Sequence, residues 1–133
     1  MPGADKVVAV LRENLPGLIA VYRFGSVASG AARPDSDLDL AVLCDRPLSY
    51  SVRCALMGQI AMLCGRTVDL IDLYTTTTVM RAQIVNTGER TFCADAARCE
   101  AFEDFVLSSY ARLNEERGAI LRDIKARGTV YGG

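Results

Sequence analysis

Two acidic residues are separated by one leucine inside a mostly apolar run, in Ser36-Asp37-Leu38-Asp39-Leu40. In a β-strand, residues two positions apart point to the same face, so both carboxylates would project together. Burying two unpaired carboxylates is costly, and a hard cation such as Mg²⁺ relieves their repulsion. The spacing therefore predicts a divalent-cation site that also takes phosphate oxygens. The alternative, a solvated edge strand with two surface acids, is disfavoured by the apolar residues that follow.

A third acid, Asp69, lies in the middle of the apolar run Val68-Asp69-Leu70-Ile71-Asp72-Leu73. If this run forms a strand beside the Asp37/Asp39 strand, Asp69 completes a trio of carboxylates. Asp72 has the opposite parity and is expected to be structural. A register error of one residue would exchange the two assignments.

A glycine and a serine, Gly25-Ser26, directly follow a run rich in β-forming residues. Glycine permits a sharp turn and a close approach of the backbone to a ligand. Free backbone N–H groups at such a turn, with the Ser26 hydroxyl beside them, could bind phosphate. Taken alone, the pair indicates no more than a turn.

The composition of the 133 residues removes several classes of function. There is no histidine, which excludes Ser-His-Asp and Cys-His catalysis and every zinc site that uses imidazole. The net charge of −1 gives no general attraction for nucleic acid, and no apolar run is long enough to span a membrane. Five cysteines without a Cys-x-x-Cys motif indicate buried thiols in a reducing compartment. We therefore expect a cytoplasmic protein.

Apolar periodicity and turn residues predict the elements that must position these side chains. Helices are expected over 4–14, 49–63, about 75–86 and about 97–126, and strands over 18–24, 37–44, 67–74 and 91–93. The predicted fold class is α/β or α+β, with a small mixed sheet flanked by helices and a long amphipathic C-terminal helix. Residues 1–95 would form the core, and residues 96–133 the helix and tail of the same domain.

The predicted C-terminal helix carries a thin apolar stripe. We expect Phe102, Phe105 and Val106 to pack on the helix's own domain. The distal half, 113–124, extends past the reach of a small core. It either packs on that core as well or binds a partner protein or a second copy of the chain.

The combination of these motifs resembles the nucleotidyltransferase superfamily of DNA polymerase β. The matching residues are Gly25-Ser26, then Asp37-x-Asp39 after ten intervening residues, then the later strand acid Asp69. The later segments Val79 to Gly88 and Arg90 to Cys93, with the long terminal helix, resemble the minimal nucleotidyltransferase, or MNT, antitoxins of HEPN/MNT toxin–antitoxin pairs. That family often carries a basic residue where this chain has Ser29, so Arg33, Arg66 and Arg81 are alternatives for holding a triphosphate.

The resemblance implies an ATP- and Mg²⁺-dependent protein adenylyltransferase that places AMP on a tyrosine of a cognate HEPN ribonuclease toxin. It implies that Asp37, Asp39 and Asp69 are catalytic and bind the metal, in a two-metal site, and that Gly25 and Ser26 bind the nucleotide. Two alternatives stay open. One is an antitoxin that blocks the toxin sterically, and the other is nucleotidyl transfer to a small molecule.

Overall fold

The computed structural model describes residues 2–25 and 37–131. This part of the chain forms four helices and four strands. In chain order they are α1 (Pro2–Asn14), β1 (Leu18–Phe24), β2 (Leu38–Cys44), α2 (Tyr50–Cys64), β3 (Val68–Asp72), α3 (Thr78–Thr87), β4 (Glu89–Cys93) and α4 (Ala96–Tyr131). The predicted α+β class and the mixed sheet are confirmed.

The strands form one sheet in the order β3-β2-β1-β4. Strand β1 pairs antiparallel with both β2 and β4, whereas β2 and β3 are parallel. The β2–β3 connection runs through α2, because a parallel pair needs a long crossover. As a result, the end of β1 and the beginnings of β2 and β3 meet at one end of the sheet, called the carboxylate end below.

Helices α1 and α2 cover one face of the sheet. The core on this face is aliphatic, and its buried members include Val7, Leu11, Val21, Leu40, Val42, Leu56, Ile60 and Leu70. Leu56 and Ile60 of the predicted α2 stripe are buried as expected. Val52 and Leu63 were expected on the same stripe but are 39% and 43% exposed. They lie at the margins of the apolar face of α2, which is wider than the area that the sheet covers.

Helices α3 and α4 cover the opposite face, around a second buried cluster. Its members alternate with those of the first cluster along β1 and β2, as a pleated strand requires. They include Ala20, Tyr22, Phe24, Ala41, Leu43, Leu73, Ile84 and Cys99.

The ends of α2 and α3 follow the capping residues in the sequence. The Ser49 side chain accepts a hydrogen bond from the Val52 amide at 3.2 Å, and Thr77 does the same for Met80 at 3.1 Å. Gly65 ends α2 in the left-handed conformation at φ 67°. The third strand was predicted to reach residue 74 but ends at Asp72, because residues 73–75 form a turn.

Helix α4 runs in the same direction as β1 and continues past the sheet. Near its beginning Cys99 contacts Ile19, and one turn later Glu103 contacts Tyr22, three residues further along β1. Its 36 residues span about 54 Å, whereas the seven residues of β1 span about 23 Å. The distal half therefore projects beyond the carboxylate end of the sheet.

The two halves of α4 differ in burial. Val106 is buried and Phe102 packs against the second cluster, as expected. Phe105 was expected to pack in the same way, but it is 59% exposed and only lines a cavity together with Ile19 and Leu43. Despite its length α4 is strongly polar, and no helix within residues 2–25 and 37–131 is long and apolar enough to cross a membrane.

Candidate active site

The parallel register of β2 and β3 brings two predicted acids side by side. Asp39 lies directly opposite Asp69, and both belong to the sheet face that α3 and α4 cover further along. Asp69 is exposed and Asp39 is half-buried. Asp37 immediately precedes β2 and is exposed. All three acids therefore lie at the carboxylate end of the sheet.

Gly25 lies next to the acids, at the end of β1. Phe24 pairs with Asp39 across the β1–β2 ladder, so Gly25 follows at the level of the acids. Its φ of 74° is in the left-handed region, and a Cβ at this position would collide with Oδ2 of Asp39. The sharp turn predicted at Gly25 is present, and the Asp39 carboxylate is its neighbour. The binding of phosphate by Gly25 stays a prediction. Ser26 lies outside the described residues.

The three carboxylates lie together without a basic partner among residues 2–25 and 37–131. Burial, and then the charges of Asp69 and Asp37, raise the pKa of Asp39. Within the described residues, none of the three accepts a hydrogen bond or forms an ion pair with a basic side chain. No group of three acidic or thiol side chains in residues 2–25 and 37–131 has converged to hold a metal. Asp39 and Asp69 are thus neighbours on paired strands, but the three acids do not yet form a metal-binding cluster. Their carboxylate oxygens are ligands of the kind that Mg²⁺ prefers.

Asp72 lies on the same strand as Asp69 but has a different environment. It is buried, and its carboxylate accepts hydrogen bonds from the amides of Leu48 and Tyr74, both at 2.9 Å. These bonds fasten the segment before α2 and the turn after β3. The structure therefore gives Asp72 a structural place and keeps it apart from Asp39 and Asp69, as the parity of the strand predicts.

The candidate arginines lie in different places. Arg81 donates to the carbonyl oxygens of Leu73 and Tyr74, at 2.7 and 2.5 Å, and so holds α3 to the end of β3. Arg66 lines a cavity of about 280 Å³ on the α1/α2 face, away from the side chains of Asp39 and Asp69. Its Nη1 atom is buried and has no hydrogen-bond partner among the described residues. Arg33 and Ser29 lie outside the described residues. Neither of the two described arginines contacts the three acids.

One partly buried polar network has no counterpart among the sequence predictions. The Tyr22 hydroxyl donates to Oε1 of Glu103 at 2.7 Å, and Arg90 lies 3.4 Å from the same oxygen. Burial, followed by the bond to Glu103, raises the pKa of Tyr22. The network anchors α4 to β1 and β4. A tyrosine inside a mostly apolar strand was the available signal, but its partner is 81 residues away.

Comparison with known families agrees with this geometry. Residues 5–97 match the family described as Polymerase beta, Nucleotidyltransferase. The chain belongs to this nucleotidyltransferase family. The matched region includes Gly25 and the three acids, and members of the family use nucleotides as substrates.

The chain is similar along most of its length to a protein adenylyltransferase, MntA, of Shewanella oneidensis. The two are 34% identical over 122 residues, which cover 92% of this chain and 87% of the relative. A crystal structure of a toxin–antitoxin with AMP-PNP superposes with a TM-score of 0.82 at 34% identity, over 92% of this chain and 98% of that one. The antitoxin fold is therefore shared from α1 into α4.

Two further similarities concern the acceptor. A structure of tri-AMPylated Shewanella oneidensis HEPN toxin in complex with MNT antitoxin matches with a TM-score of 0.77 at 32% identity, over 92% of this chain and 96% of that one. Spectinomycin 9-adenylyltransferase of Campylobacter jejuni is 31% identical over 62 residues, covering 46% of this chain and 24% of that enzyme. The similarity to the antitoxins thus extends much further than the similarity to the antibiotic-modifying enzyme.

Proposed function

We propose that this chain transfers AMP from ATP to a cognate HEPN toxin in the cytoplasm and thereby neutralises the toxin. The observation that carries the proposal is the side-by-side placement of Asp39 and Asp69 next to the Gly25 turn. The similarity to the MntA adenylyltransferase over 92% of the chain supports a protein as the acceptor.

The proposed reaction exchanges one bond at the α-phosphorus for another and transfers one proton. A tyrosine hydroxyl oxygen of the toxin attacks the α-phosphorus of ATP, the bond from the α-phosphorus to the bridging oxygen breaks, and pyrophosphate leaves. Asp69, exposed on β3, accepts the hydroxyl proton. Gly25, together with Ser26, would bind the β- and γ-phosphates, because the absent side chain lets the backbone approach them.

Magnesium fits the three carboxylates by chemistry. Asp37 and Asp39 would hold one ion, and Asp69 would share a second. When bound, Mg²⁺ neutralises phosphate charge and favours in-line displacement. The protein's own contribution is to hold Asp39 and Asp69 in a fixed register, which the backbone ladder of β2 and β3 does before any ligand arrives.

The distal half of α4 is the surface that we propose for the toxin. Cys99, Val106, Leu113 and Ile120 recur every seven residues on one stripe. Cys99 and Val106 are buried in the core, whereas Ile120 is 58% exposed. Ile124, one turn further, is 57% exposed. Because this half projects beyond the carboxylate end of the sheet, a protein bound to it would be held near the acids.

The direct test of the transfer is a mass measurement. The chain is mixed with ATP, Mg²⁺ and a cognate HEPN toxin, and the toxin should gain the mass of one or more AMP units. An ATP analogue whose α–β bridge cannot be cleaved should leave the toxin active. Full inhibition by that analogue would instead favour steric blocking. Modification of spectinomycin but not of the toxin would favour a small-molecule acceptor.

The test of the helix surface uses truncation and matched point variants. A chain ending at Asn114 keeps the buried half of α4 and should fold, but should lose toxin binding. Ile120→Ser with Ile124→Ser should weaken binding at least tenfold, whereas Ala119→Ser, at an exposed non-stripe position, should not. Unchanged binding by the truncated chain would reject this surface. If the truncated chain instead keeps toxin binding and loses self-association, the stripe binds a second copy of the chain.

A further inference from the structure

Two cysteines outside the proposed active site are in direct contact. Cys93 is the last residue of β4, and Cys99 lies in the first turn of α4. Their sulfur atoms are 2.7 Å apart. A disulfide bond is about 2.0 Å long, so the two sulfurs need to approach by less than about 1 Å.

The turn between the two cysteines is fixed by hydrogen bonds. Asp95 caps α4, since its Oδ1 accepts from the amides of Ala97 and Arg98 at 3.1 and 3.3 Å. The Ala94 amide donates to the Ile19 carbonyl at 2.8 Å. The turn that brings the two cysteines together is therefore held by the fold.

The two thiols differ in access. Cys99 is fully buried, whereas Cys93 is partly exposed. Burial and the hydrogen bond with Cys93 raise the pKa of Cys99 to about 11, so Cys99 remains protonated at neutral pH. An oxidant from solution would meet Cys93 first.

We propose that Cys93 and Cys99 form a reversible disulfide on exposure to a small disulfide oxidant such as oxidised glutathione. The Cys93 thiolate attacks one sulfur of the oxidant, forming a mixed disulfide and releasing one glutathione thiolate. Cys99 then loses its proton and attacks the Cys93 sulfur, which releases the second glutathione. The protein loses two electrons and two protons, and the oxidant is reduced to two thiols.

The disulfide would fasten α4 to the edge strand at the end of the sheet remote from the acids. Cys93 pairs with Ala20 near the beginning of β1, while Gly25 follows the end of that strand. All five cysteines are free in the structure, so this is a response to oxidising conditions and not a permanent crosslink.

The experiment uses the full-length chain with Cys54→Ser, which removes an exposed thiol that could crosslink two chains. The folded protein is treated with oxidised glutathione, alkylated and digested with trypsin. Cleavage after Arg90, Arg98 and Arg112 places the cysteines in separate peptides, 91–98 and 99–112. We expect these peptides to be joined, with a loss of about 2 Da from the intact chain that dithiothreitol reverses.

A matched variant separates the two steps. In Cys99→Ser the second step is blocked, so a glutathione adduct should persist on Cys93. The proposal is overturned if peptides 91–98 and 99–112 stay unlinked under conditions that modify Cys54 in the unsubstituted chain. It is equally overturned if Cys93 keeps a stable adduct while Cys99 is present. Both readouts are independent of AMP transfer.

Discussion

The two ends of the β2–β3 pair carry acids in opposite situations. At one end Asp39 and Asp69 face each other without a hydrogen bond or ion pair from the described residues, and repulsion adds to the cost of burying Asp39. About 10 Å along the same strand, Asp72 is buried and accepts two backbone hydrogen bonds. The difference separates function from stability. Charge left uncompensated is available to a ligand, whereas charge satisfied by the backbone holds the fold together.

The largest expected effect is the loss of AMP transfer when an acid at the carboxylate end of the sheet is replaced. Asp39→Asn and Asp69→Asn should each lower AMP transfer by at least about a hundredfold, because each removes a charge that the transition state requires. Neither should lower the free energy of unfolding, since each relieves repulsion. Rates from the mass assay and urea unfolding curves measure the two quantities. Asp69→Asn should retain part of its nucleotide binding, and full activity of Asp37→Asn/Asp39→Asn would refute the assignment.

Gly25→Ala should have the next largest effect. The methyl group would displace the Asp39 carboxylate, and the left-handed φ costs about 1–2 kcal/mol for any other residue. We expect a tenfold or greater loss of AMP transfer together with a measurable loss of stability. Gly58→Ala is the matched control, because a Cβ there meets no atom within 4 Å. Equal behaviour of the two variants would show that the turn does not position Asp39.

Substitution of Asp72 should lower the free energy of unfolding and leave AMP transfer nearly unchanged. Asp72→Ala leaves two partly buried amides without their acceptor, which we expect to cost about 1–3 kcal/mol in total. The folded fraction should transfer AMP within about twofold of the normal rate. Asp72→Asn can still accept through one oxygen and should be milder. Loss of turnover without loss of stability would mean that Asp72, and not Asp69, serves the reaction.

The smallest effect concerns alkaline pH and the buried thiols. Burial, with a smaller effect of Asp72 and Asp45, raises the pKa of Cys44 to about 11, from 9.0. Between these values the unfolded chain has lost a proton that the folded chain keeps, so stability falls as pH rises, by up to about 1.4 kcal/mol per pH unit for one thiol. Urea unfolding at pH 8 and pH 10.5 measures the loss. Cys44→Ala should reduce the slope and the exposed Cys54→Ser should not. An unchanged slope in Cys44→Ala would contradict the assignment.

The local elements could be predicted from sequence because their signals are local. The strand 18–24 and the caps Ser49 and Gly65 lie where the composition places them. The pairing of Asp39 with Asp69 required only the parity of two apolar strands, once β2 and β3 were assumed to be neighbours. The roles of Asp37, Asp39, Asp69 and Gly25 in the reaction stay predictions.

Long-range packing could not be predicted in the same way. Phe105 belongs to the same apolar pattern as Val106, and only the direction of α4 over the sheet decides which of them is covered. The partners of Arg81 are carbonyl oxygens, which no pattern of side chains reveals. The contact between Cys93 and Cys99 depends on the tight turn between β4 and α4.

The sheet order leaves β3 and β4 at its two margins, each only five residues long. Exposed, unpaired margins of this kind invite other chains to add as further strands, and charged side chains discourage such addition. On β4, Glu89 and Arg90 are exposed, and on β3 the exposed charge belongs to Asp69. The acid that we assign to proton transfer thus also helps to keep the chain from aggregating along the β3 margin.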